Sequence, residues 1–410
     1  MRRRVRVAAW VVGLSGMVLG ALPAEAGDAR RPGQPGARSA WTEVVKSAEW
    51  EGRAGLQAID LGRDLFVMGG RGAFNPFGTT IYRDVWKSRD GGRSWEKVSD
   101  PEWPARAYFQ AVRHRGRIFV LGGQNFDILP NIGYPQNCPP APAPCFPFVP
   151  VSKFFTDVWS SEDGANWTEE SGDAGWAGRA GLSAVVFRGA IWVFGGSQGD
   201  DASTGGQGRV LFNDVWKSRG GRHWERVTAA APWAPRAGAA AVVKNGYVYL
   251  LGGERGFTCG PVPAPLCVPE RDLYFNDVWR TRDGKRWEQV TPAAGWSPRP
   301  GHQCVVALDQ IVCFGGYGEP TNPNDVWASR DGRRWTELES PLSPPWRAVD
   351  PDDAKYDFDA LVVPGGPFGL LPAILTFGGD RERFELPPDV NATRVDNDVW
   401  RLGLPPFPRR

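Results

Sequence analysis

The chain has 410 residues, with 48 Lys and Arg against 46 Asp and Glu, and it is rich in Trp (20), Gly (52) and Pro (37). So even a charge balance gives no electrostatic reason to expect nucleic-acid binding. With only three His (His114, His223, His302), no two at a metal-ligand spacing, no His-built metal site and no cofactor are expected.

In chain order, residues 1–26 place four arginines ahead of an apolar run that ends in Ala24-Glu25-Ala26. This reads as a secretory signal cleaved before Gly27. Gly27, not a Cys, directly follows that site and no later segment offers the ~20 unbroken apolar residues of a membrane helix, so a secreted or periplasmic chain without membrane insertion is expected. Without the signal the count is 44 basic and 45 acidic residues. Residues 27–39 read as a linker, and "AWTEVV" at 40–45 as a strand resembling "SWEKV" at 94–98 and "RWEQV" at 286–290.

From there three signals recur six times in fixed order. Gly-Gly closes an apolar run at 69, 122, 195, 252, 315 and 378, and Asp-Val-Trp opens another at 84, 157, 214, 277, 325 and 398. A second Trp follows at 95, 167, 224, 287 and 335. The sixth Asp-Val-Trp lacks this partner, and Trp41 near the N-terminus supplies it. Each unit reads as four short strands; in the fourth, Asn245-Gly246 and Asp283-Gly284 mark hairpin turns. A repeat long enough for four strands, with no helical period, predicts an all-β, six-bladed β-propeller over 40–404, with a tail at 405–410. The N-terminal strand completes the last blade and closes the ring. One further Trp lies just beyond each fourth strand (50, 103, 176, 233, 296, 346), so the three sets hold 18 of the 20 Trp. Rings at these positions are expected to fill the wedges between blades.

Six cysteines form three close pairs, Cys138 with Cys145, Cys259 with Cys267, and Cys304 with Cys313. In an exported chain these are expected as disulfides.

The Gly-Gly after an apolar strand, the spaced Trp pair and the "PRAG" before the first strand resemble kelch repeats, over about Trp41 to Leu404. That resemblance implies four-stranded kelch-type blades, in a family that includes scaffolds, sugar epimerases and copper oxidases. "SRDGGRSW" at 88–95 also resembles the Asp box of sialidase-like propellers, with shorter relatives at 161–167, 281–287 and 329–335. The box implies a structural turn in which Asp accepts backbone N–H bonds.

In such a blade the second-to-third loops share a rim with the blade links. Counted between Gly-Gly and Asp-Val-Trp, these loops are 71–83, 124–156, 197–213, 254–276, 317–324 and 380–397. They differ widely in length, and long loops on a rigid scaffold usually carry recognition. Arg53, Arg106, Arg179, Arg236 and Arg299 each precede a Gly-Gly on this rim, all at one spacing. Brought together by ring symmetry, five guanidinium groups would cradle a carboxylate or sulfate. In the sixth unit, aligning Val362-Val363 with Val305-Val306 puts Tyr356 at the Arg position, among Asp350, Asp352, Asp353, Asp357 and Asp359.

The leading expectation is a non-enzymatic binding module that recognises an acidic glycan or an extracellular protein through the long-loop rim. The alternative is a carbohydrate-active enzyme, a sialidase-like hydrolase or sugar epimerase. Sialidase-like chemistry would use Tyr356 as nucleophile and Asp357 or Asp359 as acid/base, with the arginines holding a carboxylate. The Arg-Ile-Pro motif of that family is absent. A copper radical oxidase fails on inventory, because only His302 lies on an inner strand and Cys304 faces Cys313 across a hairpin.

Overall fold

A computed structural model of the chain describes residues 40–73, 79–130, 136, 148–198, 209–256, 274–318, 323–338, 355–365, 371–381 and 394–404. The expected signal, linker and tail lie outside these residues, as do Cys138, Cys145, Cys259, Cys267, Trp346, Asp350, Asp352 and Asp353. Among the described residues no helix is long and apolar enough to cross a membrane.

Six four-stranded antiparallel sheets form the blades of a propeller. The chain enters through β1 (Trp41–Val45) and then builds blade 1 from β2 (Gln57–Leu61), β3 (Asp64–Met68), β4 (Val85–Ser88) and β5 (Glu96–Ser99). Blade 2 uses β6 (Gln110–His114) and β7 (Arg117–Leu121), sends out an arm of β8 (Gln124–Pro130) and β9 (Phe148–Phe154), and finishes with β10 (Val158–Ser161) and β11 (Trp167–Ser171). Blade 3 follows the same plan with β12 (Ser183–Phe187), β13 (Ala190–Phe194), a small arm β14 (Ser197–Gln198) and β15 (Val210–Leu211), then β16 (Val215–Ser218) and β17 (Glu225–Thr228). Blade 4 is β18 (Ala240–Lys244), β19 (Tyr247–Glu254), β20 (Tyr274–Thr281) and β21 (Trp287–Thr291). Blade 5 is β22 (Gln303–Ala307), β23 (Gln310–Phe314), β24 (Val326–Ser329) and β25 (Thr336–Glu337). Blade 6 takes β26 (Asp359–Val363), β27 (Ala373–Asp380) and β28 (Val395–Gly403) from the end of the chain. Its outer strand is β1, in register Trp41↔Leu402 and Thr42↔Arg401, so the ring closes as the displaced Trp41 motif predicts.

Sequence chemistry accounts for the local turns. Asn245 and Gly246, at φ 50° and 73°, join β18 to β19, the positive pair that matches a hairpin's twist. The core is divided among six clusters, each made by two adjoining blades. Between blades 6 and 1, for example, Trp50, Leu56, Val67 and Trp95 meet Leu375, Phe377 and Val399. The expected wedging by Trp takes one form at five interfaces. The linker Trp meets the next outer-strand Trp edge-on, as in Trp103 with Trp167 (5.7 Å) and Trp233 with Trp287 (5.7 Å).

Gly-Gly recurs because both residues are left-handed and hemmed in by backbone. The first glycine has φ between 56° and 67° and the second between 94° and 117° in all six blades. The second also donates its N–H to the next blade: Gly70 to Arg106 O (2.9 Å), Gly196 to Arg236 O (2.8 Å), and finally Gly379 back to Arg53 O (3.0 Å). Nearer the axis runs a ring of six hydrogen bonds in the opposite sense. Tyr108 N–H donates to Gly55 O, Gly181 to Tyr108, Gly238 to Gly181, Gly301 to Gly238, Asp357 to Gly301, and Gly55 to Asp357, at 2.8–3.1 Å.

A Cβ on Gly195 would lie 2.6 Å from the Arg236 carbonyl oxygen, at a φ of +57°. Gly195→Ala is therefore expected to destabilise the protein by more than the ~1–2 kcal/mol of a left-handed L-residue alone. Urea unfolding would report this as a lowered midpoint with unchanged slope.

Candidate binding site at the propeller axis

The arginines singled out from the sequence sit near the axis on the long-loop rim, but they face the protein. Arg53, Arg106, Arg179, Arg236 and Arg299 are at most 2% exposed. Each makes a two-pronged ion pair with the Asp of Asp-Val-Trp. Arg179 Nη1 and Nη2 donate to Asp214 Oδ1 (2.5 Å) and Oδ2 (3.0 Å), with Nη1 also on Gly195 O (2.9 Å) and Nε on Ala177 O (2.9 Å). The same Asp accepts from its own strand, through Trp216 Nε1 at 2.8 Å. Aromatic rings close over four of these cations, Tyr82, Phe155, Phe212 and Phe275, at 4.0–4.5 Å. The five guanidinium groups expected to cradle an anionic ligand are thus buried, each with its charge paired to the Asp that fastens its own blade.

Blade 6 corrects the alignment. The residue in the Arg position is Lys355, whose Nζ approaches Gly378 O (3.4 Å) and Asp396 (2.9 Å) and pairs with Asp398. Arg381 adds a second cation on Asp396. Tyr356 instead takes the place of Ala54, bridging Asp380 as Ala54 bridges Arg71. Asp357 takes the place of Gly55 in the axial ring, with φ 50°.

Asp359 is turned away from the axis. Its carboxylate accepts the N–H of Ala58 in blade 1 (2.6 Å) and of Ala360 (2.8 Å), latching the last blade to the first. Gln57 does the same for Ala111 one interface on, at 2.8 Å. An acid/base role for Asp359 on a substrate at the mouth is therefore not supported by its position. Burial pushes its pKa up to about 7, against the pull of the two N–H bonds.

The residue immediately after each Gly-Gly, Arg71, Gln124, Ser197, Glu254, Tyr317 or Asp380, opens the long loop of its blade; all are buried except the half-buried Tyr317. Backbone bridges hold most of them against the inner links, as Ala107↔Gln124, Ala180↔Ser197 and Ala237↔Glu254. On the side of blades 6, 1 and 2, Arg71 pairs with buried Asp380 and donates Nε to the Tyr108 hydroxyl (2.6 Å). Burial, with Asp357 and Asp380 nearby, holds that phenol above its ordinary range despite Arg71, so it is neutral at physiological pH. On the side of blades 4 to 6 the wall is aromatic. Tyr317 meets Tyr356 edge-on at 5.3 Å and Tyr274 at 5.9 Å. Glu254 accepts Arg209 Nη1 at 2.6 Å. Of these groups the charges are paired and largely buried, and the half-buried rings are Tyr108, Tyr274 and Tyr317, phenols of the kind that hydrogen-bond and stack a polar ligand.

Elsewhere, Cys304 and Cys313 form the expected disulfide across β22 and β23. His302 replaces Leu56 of blade 1, packs on Trp296 at 5.4 Å, and is held neutral, its pKa pushed to about 3 by burial and by Arg299. Among the described residues no group of three or more His, Cys, Asp or Glu is arranged to hold a metal. The turns at Asp90 and Asp163 lie on the opposite rim and act structurally. Against the upward push of burial, hydrogen bonds from Ser94, Ser88 and Arg93 together hold the Asp90 carboxyl at about 2. No known protein-family model matches the chain.

Two outcomes follow. Asp214→Ala leaves Arg179 charged and sealed, and is expected to cost about 3–5 kcal/mol in equilibrium unfolding. Asp359 is protonated longer in the folded than in the unfolded chain, whose Asp ionises near pH ~3.9. Its contribution is full below pH ~4 and is lost as pH rises to about 7. Asp359→Asn should gain on the parent across that window, by at most about 1.4 kcal/mol per pH unit, and run parallel to it above. Chemical denaturation at stepped pH measures the difference.

Proposed function

We propose that the protein is an exported, kelch-type propeller that works as a non-enzymatic binding module, with its axial mouth taking a hydroxyl-rich saccharide. One observation carries this reading. Between unvarying Gly-Gly pairs and repeated inner strands, the six residues that follow Gly-Gly are all different, Arg71, Gln124, Ser197, Glu254, Tyr317 and Asp380. Five of them are buried and set the shape and charge beneath the rim, while the half-buried Tyr317, with Tyr274 and Tyr108, supplies the rings that a ligand there would meet.

The acidic-glycan form of the expectation rested on five guanidinium groups, and these are committed to Asp partners. At the mouth Arg71 and Arg209 each face a carboxylate as well, so the balance favours a neutral sugar held by paired hydrogen bonds and tyrosine stacking. Kelch identity is supported by the physical necessity of both glycines and by the paired Trp at the blade interfaces. The Asp-box resemblance is supported at 88–95, where Asp90 accepts from Arg93 N, Ser94 N and Ser94 Oγ. Export is supported by the apolar leader and by the Cys304–Cys313 disulfide, a bond at home in oxidising compartments.

A thermal-shift screen of the purified chain against neutral and acidic oligosaccharides tests the reading. A ligand at a hundredfold over its Kd should add about 2.7 kcal/mol of stability. Tyr317→Ala, on a half-buried ring of the aromatic wall, should abolish the shift while the unliganded chain remains folded. Absence of a shift with every sugar would overturn the saccharide reading and send the search to protein partners of the same rim.

A further inference from the structure

The opposite rim of blade 4 carries a recess of about 250 Å³ between the ends of β20 and β21, and its charge is unbalanced. Tyr247, Arg280, Arg282, Asp283, Arg286 and Glu288 line it. The pleat creates it: Arg280 and Arg282, two positions apart, emerge on the same face of the sheet. Both guanidinium groups lie over the one Tyr247 ring, at 4.4 and 4.2 Å from its centroid.

The cations there outnumber the carboxylates. Arg280 pairs with Glu288 at 2.8 Å, and Glu288 is shared with Arg333 from the neighbouring turn of blade 5. Arg286, 92% exposed, leans on Asp283 at 3.1 Å. Arg282 has no carboxylate partner among the described residues and is held by the Tyr247 ring alone. Four guanidinium groups thus face two carboxylates, with exposed Lys285 beside them.

The repeat supplies its own control. In the matching place of blade 1, Lys87 pairs with Asp64 and Arg89 with Glu96. In blade 2, Arg117 and the incoming Arg222 meet Glu170, with Glu162 also near Arg117. Blade 3 sets Lys217 against Glu225 but leaves exposed Arg219, the counterpart of Arg282, without an ion pair among the described residues. Blades 1 and 2 match each of these cations with a carboxylate, whereas blade 4 gathers four guanidinium groups and two carboxylates around one tyrosine ring. Like charges gathered at one ring repel, and an anion bridging them relieves that repulsion.

We infer that this recess is a second binding site, for the sulfate or carboxylate groups of an acidic polysaccharide. A polymer fits better than a lone small anion, because Arg282, Lys285, Arg286 and Arg333 form an exposed row that runs from blade 4 to the turn of blade 5. Forked guanidinium donors match planar or tetrahedral oxyanions, and the exposed face of the tyrosine gives a sugar ring something to lie against. The site is separate from the axial mouth and does not depend on it.

The test is a calorimetric titration of the full chain with three size-matched probes, a sulfated dextran oligosaccharide, an oligogalacturonate and neutral dextran, at about 50 mM salt, where surface charge is only partly screened. At least one acidic probe should bind and neutral dextran should not; which acidic probe binds names the oxyanion. Arg282→Ser with Arg286→Ser, both exposed, should weaken binding about tenfold or more, since paired guanidinium contacts supply most of the attraction. Arg93→Ser with Lys97→Ser removes two charges from the same rim of blade 1 and should leave affinity within about twofold if the site is local rather than diffuse. Tyr317→Ala should bind as the parent does, which keeps this result independent of the axial reading. Failure of both acidic probes to bind, or equal loss in the two double variants, would overturn the proposal.

Discussion

One side chain per blade does the joining. The guanidinium of Arg53 reaches the incoming link at Glu51 O, the end of the second strand at Gly69 O and the head of the third at Asp84. Three segments far apart in sequence are thereby fixed to one planar group. The carbonyl of the same residue accepts the N–H of Gly379 from the neighbouring blade, so the arginine is a node within its blade and between blades. Its geometry demands a bidentate carboxylate, which explains Asp rather than Asn before Val-Trp. The guanidinium is buried with four of its five N–H donors on protein acceptors and its charge paired to Asp84, which takes it out of a ligand's reach.

The architecture was legible because its constraints repeat. Gly-Gly, Asp-Val-Trp and the displaced Trp41 strand each have a steric or hydrogen-bonding reason that belongs to the repeat, and six occurrences make a period visible. The arginines were visible for the same reason, but the sequence does not say which way a side chain points. A ring of cations at a mouth and a ring of cations locked to carboxylates have the same spacing. The partner that decides between them, Asp84 for Arg53, lies 31 residues away.

Blade 6 shows how an insertion defeats alignment. Between Lys355 and Gly378 there are 23 positions instead of the 16 of other blades, and matching Val362-Val363 by hydrophobicity moved the register by one. That slip named Tyr356 where Lys355 belonged. The ring of residues after Gly-Gly was missed for the opposite reason. Arg71, Gln124, Ser197, Glu254, Tyr317 and Asp380 share a position but no residue type, and a search for recurrence passes over what recurs only in place. The column after Gly-Gly, read for its variety, would have found them. Two of the flanking ring members, Tyr108 and Asp357, are departures of the same kind, non-glycine residues in left-handed backbone where glycine stands in the other four blades.

The closure of blade 6 by β1 bears on how the chain reaches its fold. Strands β2 to β27 find sheet partners within one repeat, whereas β1, the first strand, pairs only with β28, the last. During synthesis the segment made first is the last to be satisfied, and it waits with an unpaired edge until the sixth repeat has emerged. Such a pairing carries the largest loop-closure entropy in the molecule and is the slowest kind of contact to form. Until it forms, blade 6 exposes β28 as an open edge and the blade 5–6 interface lacks Trp41. The ring is therefore sealed by a late pairing of the first described strand with the last, and the period before it is when the protein is most open to pairing with another copy of itself.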